Sequence, residues 1–141
     1  MGFLARFSKT PASAAAAAPV TRQQRGQQAE QRALQWLRAA GLRLQERNYR
    51  TPGRGGGEID LIMRAPDGTL VFVEVRQRSS AGHGGAGASI DARKQRRIIL
   101  AARHYLAGLS HTPPCRFDVV LLDGSDARVT PQWLPAAFSA D

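Results

Sequence analysis

A chain of 141 residues is one domain's worth, long enough to bury a core and too short for two ordinary domains. Twenty basic against eleven acidic side chains give a formal net charge of +9, which favours a polyanionic partner such as nucleic acid. No run of about eighteen apolar residues is present, which excludes a membrane-spanning helix, and the lone Cys115 excludes an internal disulfide.

The first residues, MGFLARFSKTPASAAAAAP, lack the greasy centre of a secretion signal, and Arg6 stands where a myristoylation signal needs Ser or Thr, so a cytoplasmic location is expected. Residues 1–22 have little to bury and read as a disordered or loosely helical tail, leaving 23–141 as one domain. Of the basic residues only Lys9 and Lys94 are lysines; every other is Arg, so a lysine kept inside the folded region is informative.

From Gln24 to Ala40 the periodicity is helical, with Ala33, Leu34 and Leu37 on one side and Gly41 as the stop. Glu30 falls in the middle of that apolar stripe, where an unpaired carboxylate is expensive and needs a partner. Strands are expected at Leu42–Arg50, Glu58–Arg64 and Thr69–Gln77, with the flexible loop TPGRGGG between the first two. Alternation puts Glu58, Asp60 and Ile62 on one face of the second strand and Ile59, Leu61 and Met63 on the other. On the third, Phe72, Glu74 and Arg76 oppose Val71, Val73 and Val75.

Ala65-Pro66-Asp67-Gly68 reads as a type I turn followed by a left-handed glycine, a three-residue hairpin loop in which Ala65 faces Thr69. In that register Asp60 lies opposite Glu74. Two carboxylates with Cβ atoms about 5 Å apart destabilise a sheet unless one is protonated, arginines satisfy them, or a metal lies between them. An all-oxygen donor set with no Cys/His cluster points to Mg²⁺ or Mn²⁺ over zinc.

Ser79–Ser89 is Gly, Ala and Ser with His83, a loop suited to a lid or a substrate contact. A second helix is expected from about Ser89 to Ala107, ended by Gly108, with Lys94 on its inner face beside Ile90, Ile98, Ala101 and Tyr105. Arg93, Arg96 and Arg97 take its flanks and back. Arg116–Asp123 reads as a buried strand, giving the order α-β-β-β-α-β. Asp118 is read as structural, bonded to Arg116 or a helix end, and His83, His104 and His111 as bystanders.

GEIDLI at 57–62, FVEVR at 72–76, DARKQRRI at 91–98 and RFDVV at 116–120, with the Glu30 helix and the NYR of 48–50, resemble the YraN-like family of bacterial predicted endonucleases. The resemblance spans roughly residues 23–138. It implies a restriction-endonuclease-like α/β fold, a mixed central sheet flanked by helices, similar to archaeal Holliday-junction resolvases. It further implies that Glu30, Asp60 and Glu74 bind the metal, with the backbone carbonyl of Val75 as a further contact. Glu58, on the face of Asp60 at the start of its strand, is read as an acid supporting those ligands or as the ligand of a second metal.

The departure is Arg76, which stands where the family has the Lys of Glu-x-Lys. Lys94 can take over that role, with Arg76 holding the scissile phosphate; alternatively Lys94 snorkels outward or contacts a DNA phosphate. The resulting expectation is a Mg²⁺-dependent endonuclease acting on DNA, branched substrates and RNA both being open, with Arg22, Arg25, Arg93, Arg96 and Arg97 gripping the backbone. Resolvase-like chemistry would call for a homodimer, and the third strand and Gln132–Phe138 offer an apolar surface for one. The competing expectations are a catalytically silent nucleic-acid-binding module and a structural partner of another protein.

Overall fold

The computed structural model describes residues 18–78, 90–123 and 128–140. The tail up to residue 17, His83 and the loop 79–89 lie outside the described residues. Two helices, α1 (Arg22–Ala39) and α2 (Ala92–Ala107), accompany strands β1 (Arg43–Arg50), β2 (Glu58–Arg64), β3 (Leu70–Arg78), β4 (Cys115–Asp123) and β5 (Gln132–Phe138). The strands form one sheet in the order β1-β2-β3-β4-β5. Among the described residues only β3 and β4 pair in parallel, and α2 lies in the crossover that such a pairing requires. No helix among the described residues is long and apolar enough to cross a membrane.

The helix α1 starts two residues earlier than its periodicity suggested, because Thr21 and Gln24 form a capping box in which each side chain accepts from the other's backbone N–H. Its other end is closed by Leu42 N–H donating to Leu37 O and Gly41 N–H to Arg38 O, a geometry that requires the positive φ of Gly41 (104°). Asp91 caps α2 by accepting from Lys94 N–H at 2.8 Å.

The β2–β3 turn has the expected form. Gly68 N–H donates to Ala65 O, Ala65 N–H donates to Thr69 O, and Gly68 has φ 93°. It sets the register in which Leu61, Ile62 and Met63 face Val73, Phe72 and Val71.

The sheet separates two hydrophobic layers. On one side Ala29, Ala33, Leu34 and Leu37 of α1 pack on Leu61, Met63, Val71, Val73, Val120 and Leu122. On the other, Ile98, Ala101 and Ala102 of α2 pack on Ile59, Ile62, Leu70, Phe72 and Phe117. Ile59 thus sits in the α2 layer, not with Leu61 and Met63 as strict alternation predicted.

The cause lies in the neighbouring strand. Asn48, between the pairs Arg47–Leu61 and Tyr49–Ile59, has φ 49°, a left-handed conformation that Asn tolerates better than most residues. Arg47 reaches Gln31 of α1, while Tyr49 packs in the α2 layer against Tyr105. Both strands therefore turn over at the level of Asn48 and Asp60.

The fifth strand is an element the sequence reading left unassigned. QWLPAAF contains Pro135 and lacks alternation, yet it pairs antiparallel with β4, at the sheet edge where proline is tolerated. The fully buried Asp118 holds it: its carboxylate accepts from Trp133 Nε1 and Ala136 N–H, both at 2.9 Å, and from Arg116 Nε at 3.1 and 3.2 Å. Gln132–Phe138 is thus an edge strand whose Trp133 meets Trp36 of α1 edge-to-face.

The glycine loop before β2 is tied at its base, with Thr51 N–H donating to Gly57 O and Gly57 N–H donating to Thr51 Oγ1. Gly57 is buried against α2, where a Cβ would lie 2.0 Å from Arg97 O and 2.7 Å from Ala101 N. Only glycine permits that approach.

Candidate functional site

Asp60 sits where the two strands turn over, and its carboxylate does the work of a ladder carbonyl: Oδ2 accepts from Val75 N–H at 2.8 Å, just beyond the Leu61–Val73 pair. The hairpin register brings it beside Glu74, as the turn chemistry implied, close enough for each carboxyl to shift the other's titration. Burial raises the Asp60 carboxyl above its usual range, against the opposing pull of the Val75 N–H and the Lys94 charge.

Glu74 is buried in β3. Burial, followed by the negative charge of Asp60, pushes its carboxyl up to about 8, with Lys94 opposing. The pair therefore favours holding a proton, one of the three resolutions open to like-charged neighbours.

Glu30 approaches from α1. Burial and the Asp60 charge raise it to about 6, while a hydrogen bond from Asn48 and the charge of Arg47 pull it down. One oxygen of Glu30 and one of Glu74, both Oε1, are buried with no hydrogen-bond partner. Native proteins rarely leave such atoms unsatisfied.

Lys94 approaches from α2, half-buried, with Nζ 3.5 Å from Glu74 Oε2 and 3.6 Å from Glu58 Oε2. The inward face that the helical wheel assigned to it is the face it occupies. Glu58 continues the chain of charge outward, with Oε1 3.6 Å from Arg97 Nη2 and 4.0 Å from Arg50 Nε.

The site thus draws one acid from α1, two from the sheet and an ammonium from α2. Two residues stand apart from it. Arg76 is half-buried two positions along β3 and makes no ion pair among the described residues. Val75 contributes its N–H, and its side chain packs in the α1 layer. Among the described residues no group of three His, Cys, Asp or Glu side chains is arranged, as it stands, to encircle a metal ion.

The arginines read as a grip fall on different elements. Arg93, Arg96 and Arg97 are exposed on α2, with Arg93 and Arg97 lining a cavity beside Glu58. Arg22 and Arg25 are exposed in the first turns of α1, Arg25 bonded to Val20 O. A polar groove lined by Gln24, Gln27, Gln28, Gln31, Arg47 and Asn48 runs along α1. Asn48 is the member of the site that residue-type reasoning passed over; its signal was a short polar residue inside a strand.

Residues 29–122 match the model of a family described as "Uncharacterised protein family UPF0102". Among similar proteins, a UPF0102 protein of Polaromonas naphthalenivorans (strain CJ2) is 65% identical over 139 residues, 94% of this chain and 91% of its own. One from Albidiferax ferrireducens is 68% identical over 120 residues, covering 85% and 91% of the two chains. One from Paracidovorax citrulli (strain AAC00-1) is 60% identical over 140 residues, 99% of each. With the family match running from the helix that carries Glu30 to the end of β4, and with relatives this similar along nearly their whole length, the chain belongs to the UPF0102 family, the YraN-like family its motifs resemble.

Proposed function

We propose that this protein is a Mg²⁺- or Mn²⁺-dependent endonuclease that hydrolyses the phosphodiester backbone of DNA. The observation that carries the reading is the pair of buried, unpartnered carboxylate oxygens on Glu30 and Glu74, gathered around Asp60 with an ammonium alongside. Such oxygens want a cation, and a hard all-oxygen set fits Mg²⁺ or Mn²⁺. Glu30, Asp60 and Glu74 would be the ligands. Ligation would require the Glu74 carboxyl to give up its proton. When bound, a divalent ion polarises a phosphate and lowers the pKa of water.

The chain's own residues supply the rest. Val75 N–H fixes the Asp60 carboxylate, so the acid is oriented before any substrate arrives. Lys94, bonded between Glu74 and Glu58, keeps an ammonium at the reacting centre, the role that the family gives to the Lys of Glu-x-Lys. Arg76, unpaired among the described residues, is left to hold a phosphate oxygen of the strand. The excess of positive charge draws in the polyanion.

The test is cleavage of linear, flapped and four-way DNA with Mg²⁺ or Mn²⁺, alongside Asp60→Ala and Glu74→Ala. Activity confined to the wild type supports the proposal; equal activity in all three means contamination and removes it. Lys94→Arg is expected to lower the rate at least tenfold, and a normal rate would return Lys94 to a structural role.

A second reading, a catalytically silent nucleic-acid-binding module, is favoured by Arg76 alone. It predicts metal-independent binding without cleavage and activity gained on Arg76→Lys.

A further inference from the structure

Beside the acids, on the outer side of Glu58, lies a cavity of about 500 Å³ lined by Arg50, Thr51, the glycines 53 and 55–57, Glu58, Arg93 and Arg97. Three guanidinium groups line it against one carboxylate. Glu58 is already engaged on its inner side by Lys94, at 3.6 Å. Among the described residues its outer oxygen is the one anion met by Arg50 and Arg97, and Arg93 has no ion pair there.

The backbone adds donors to that excess of positive charge. Gly53 and Gly55 have φ 88° and 66°, so the chain reverses hand on either side of Arg54. The loop's backbone bond joins Thr51 to Gly57 across its base and the turn at Arg54–Gly55 engages the N–H of Gly56, which leaves the N–H groups of residues 53–55 without a protein acceptor among the described residues. Consecutive free N–H groups in a loop of alternating hand form a concave site for an anion. Position 56 has no room for a side chain, since a Cβ there would lie 2.4 Å from Thr51 Oγ1 and 2.9 Å from Thr51 O.

We propose that this cavity is an anion subsite that holds a backbone phosphate of the nucleic-acid strand next to the one presented to the acids. The inference rests on the nuclease reading for its substrate, although not for its binding chemistry. Glu58 is the partition between the two centres. It shares Lys94 with Glu74 on one side and Arg97 with the cavity on the other, so adjacent phosphates of one strand meet opposite sides of a single ion-pair chain. The subsite contacts only the backbone, which positions a strand without reading its sequence.

The experiment uses the full chain in EDTA, with a fluorescent 20-base-pair DNA duplex titrated by anisotropy from about 50 to 200 mM salt. Each phosphate contact contributes about 0.9 to the slope of log affinity against log salt. Arg93→Gln/Arg97→Gln is expected to reduce that slope by about 1 to 2 and weaken binding at least tenfold. Arg93→Gln alone, which breaks no ion pair, is expected to show about half the change in slope, and keeps the test valid should the double variant fold poorly.

The control Arg38→Gln/Arg43→Gln removes two exposed charges elsewhere and is expected to change affinity less than threefold. Equal losses in the two pairs would reduce the cavity to general charge and overturn the subsite. Thermal protection by inorganic phosphate at matched ionic strength, with oligonucleotide binding unaffected by the arginine changes, would assign the cavity to a free anion and overturn it equally. A wild type that binds through these arginines yet never cleaves with Mg²⁺ or Mn²⁺ leaves the subsite standing and ends the nuclease reading.

Discussion

At the scale of single residues, the acid pair links stability to pH. Glu74 has its carboxyl pushed up to about 8 from 4.5. Between those values the folded protein holds a proton that the unfolded chain has lost, so metal-free stability falls as pH rises from about 5 to 8 and levels off above. Melting curves are expected to show that decline in wild type and a flatter profile in Glu74→Gln. A wild-type melting temperature that climbs over the same interval would contradict the assignment.

Asp60 is expected to respond differently to two substitutions. Asp60→Asn keeps an acceptor for Val75 N–H while removing a charge from a crowded group, and its melting temperature should equal or exceed that of the wild type with activity lost. Asp60→Ala strands the Val75 N–H, at about 1–3 kcal/mol, and is expected to melt below Asp60→Asn.

At the scale of elements, two contacts concentrate stability. Gly57→Ala forces β2 and α2 apart, because the added carbon meets main chain at 2.0 Å. Overpacking of this kind costs about 1–3 kcal/mol, to be read from urea denaturation midpoints. Asp118→Ala removes the acceptor of Trp133 and of the Ala136 N–H and leaves Arg116 without its carboxylate. A loss of about 3 kcal/mol is expected, with a red-shifted tryptophan emission as β5 loosens; an unshifted spectrum would mean that edge pairing alone retains the strand.

The same elements explain what was legible in advance. The β2–β3 hairpin was readable because its turn chemistry is local, and so were Asp60 beside Glu74 and the inward Lys94, which follow from register and the helical wheel. The fifth strand was not, because QWLPAAF lacks alternation, carries Pro and two Ala at its centre, and is recruited by Asp118 fifteen or more positions away. The layer of Ile59 was misjudged for a similar reason: Asn48, on another strand, sets it.

At the scale of the molecule, the acids draw partners from both helices and from the sheet between them, so the site exists only when both helices are packed on the sheet. A cation that binds this site and not the unfolded chain must raise the melting temperature in a concentration-dependent way. Calorimetric scans with 1 to 20 mM Mg²⁺ or Mn²⁺ are expected to show that rise in wild type and its absence in Asp60→Asn and Glu74→Gln. No rise at any concentration would remove the metal while leaving the nucleic-acid subsite intact.

The turn-over at Asn48 also bears on folding itself. A one-residue slip of β1 along β2 would place the side chains of β1 in the wrong layer, sending Tyr49 toward α1 and the charge of Arg47 toward α2. A plain hairpin could tolerate such a slip at one end. Here the reversal of hand works as a register key: β1 closes on β2 in one alignment, while the β2–β3 turn carries Asp60 to the N–H of Val75.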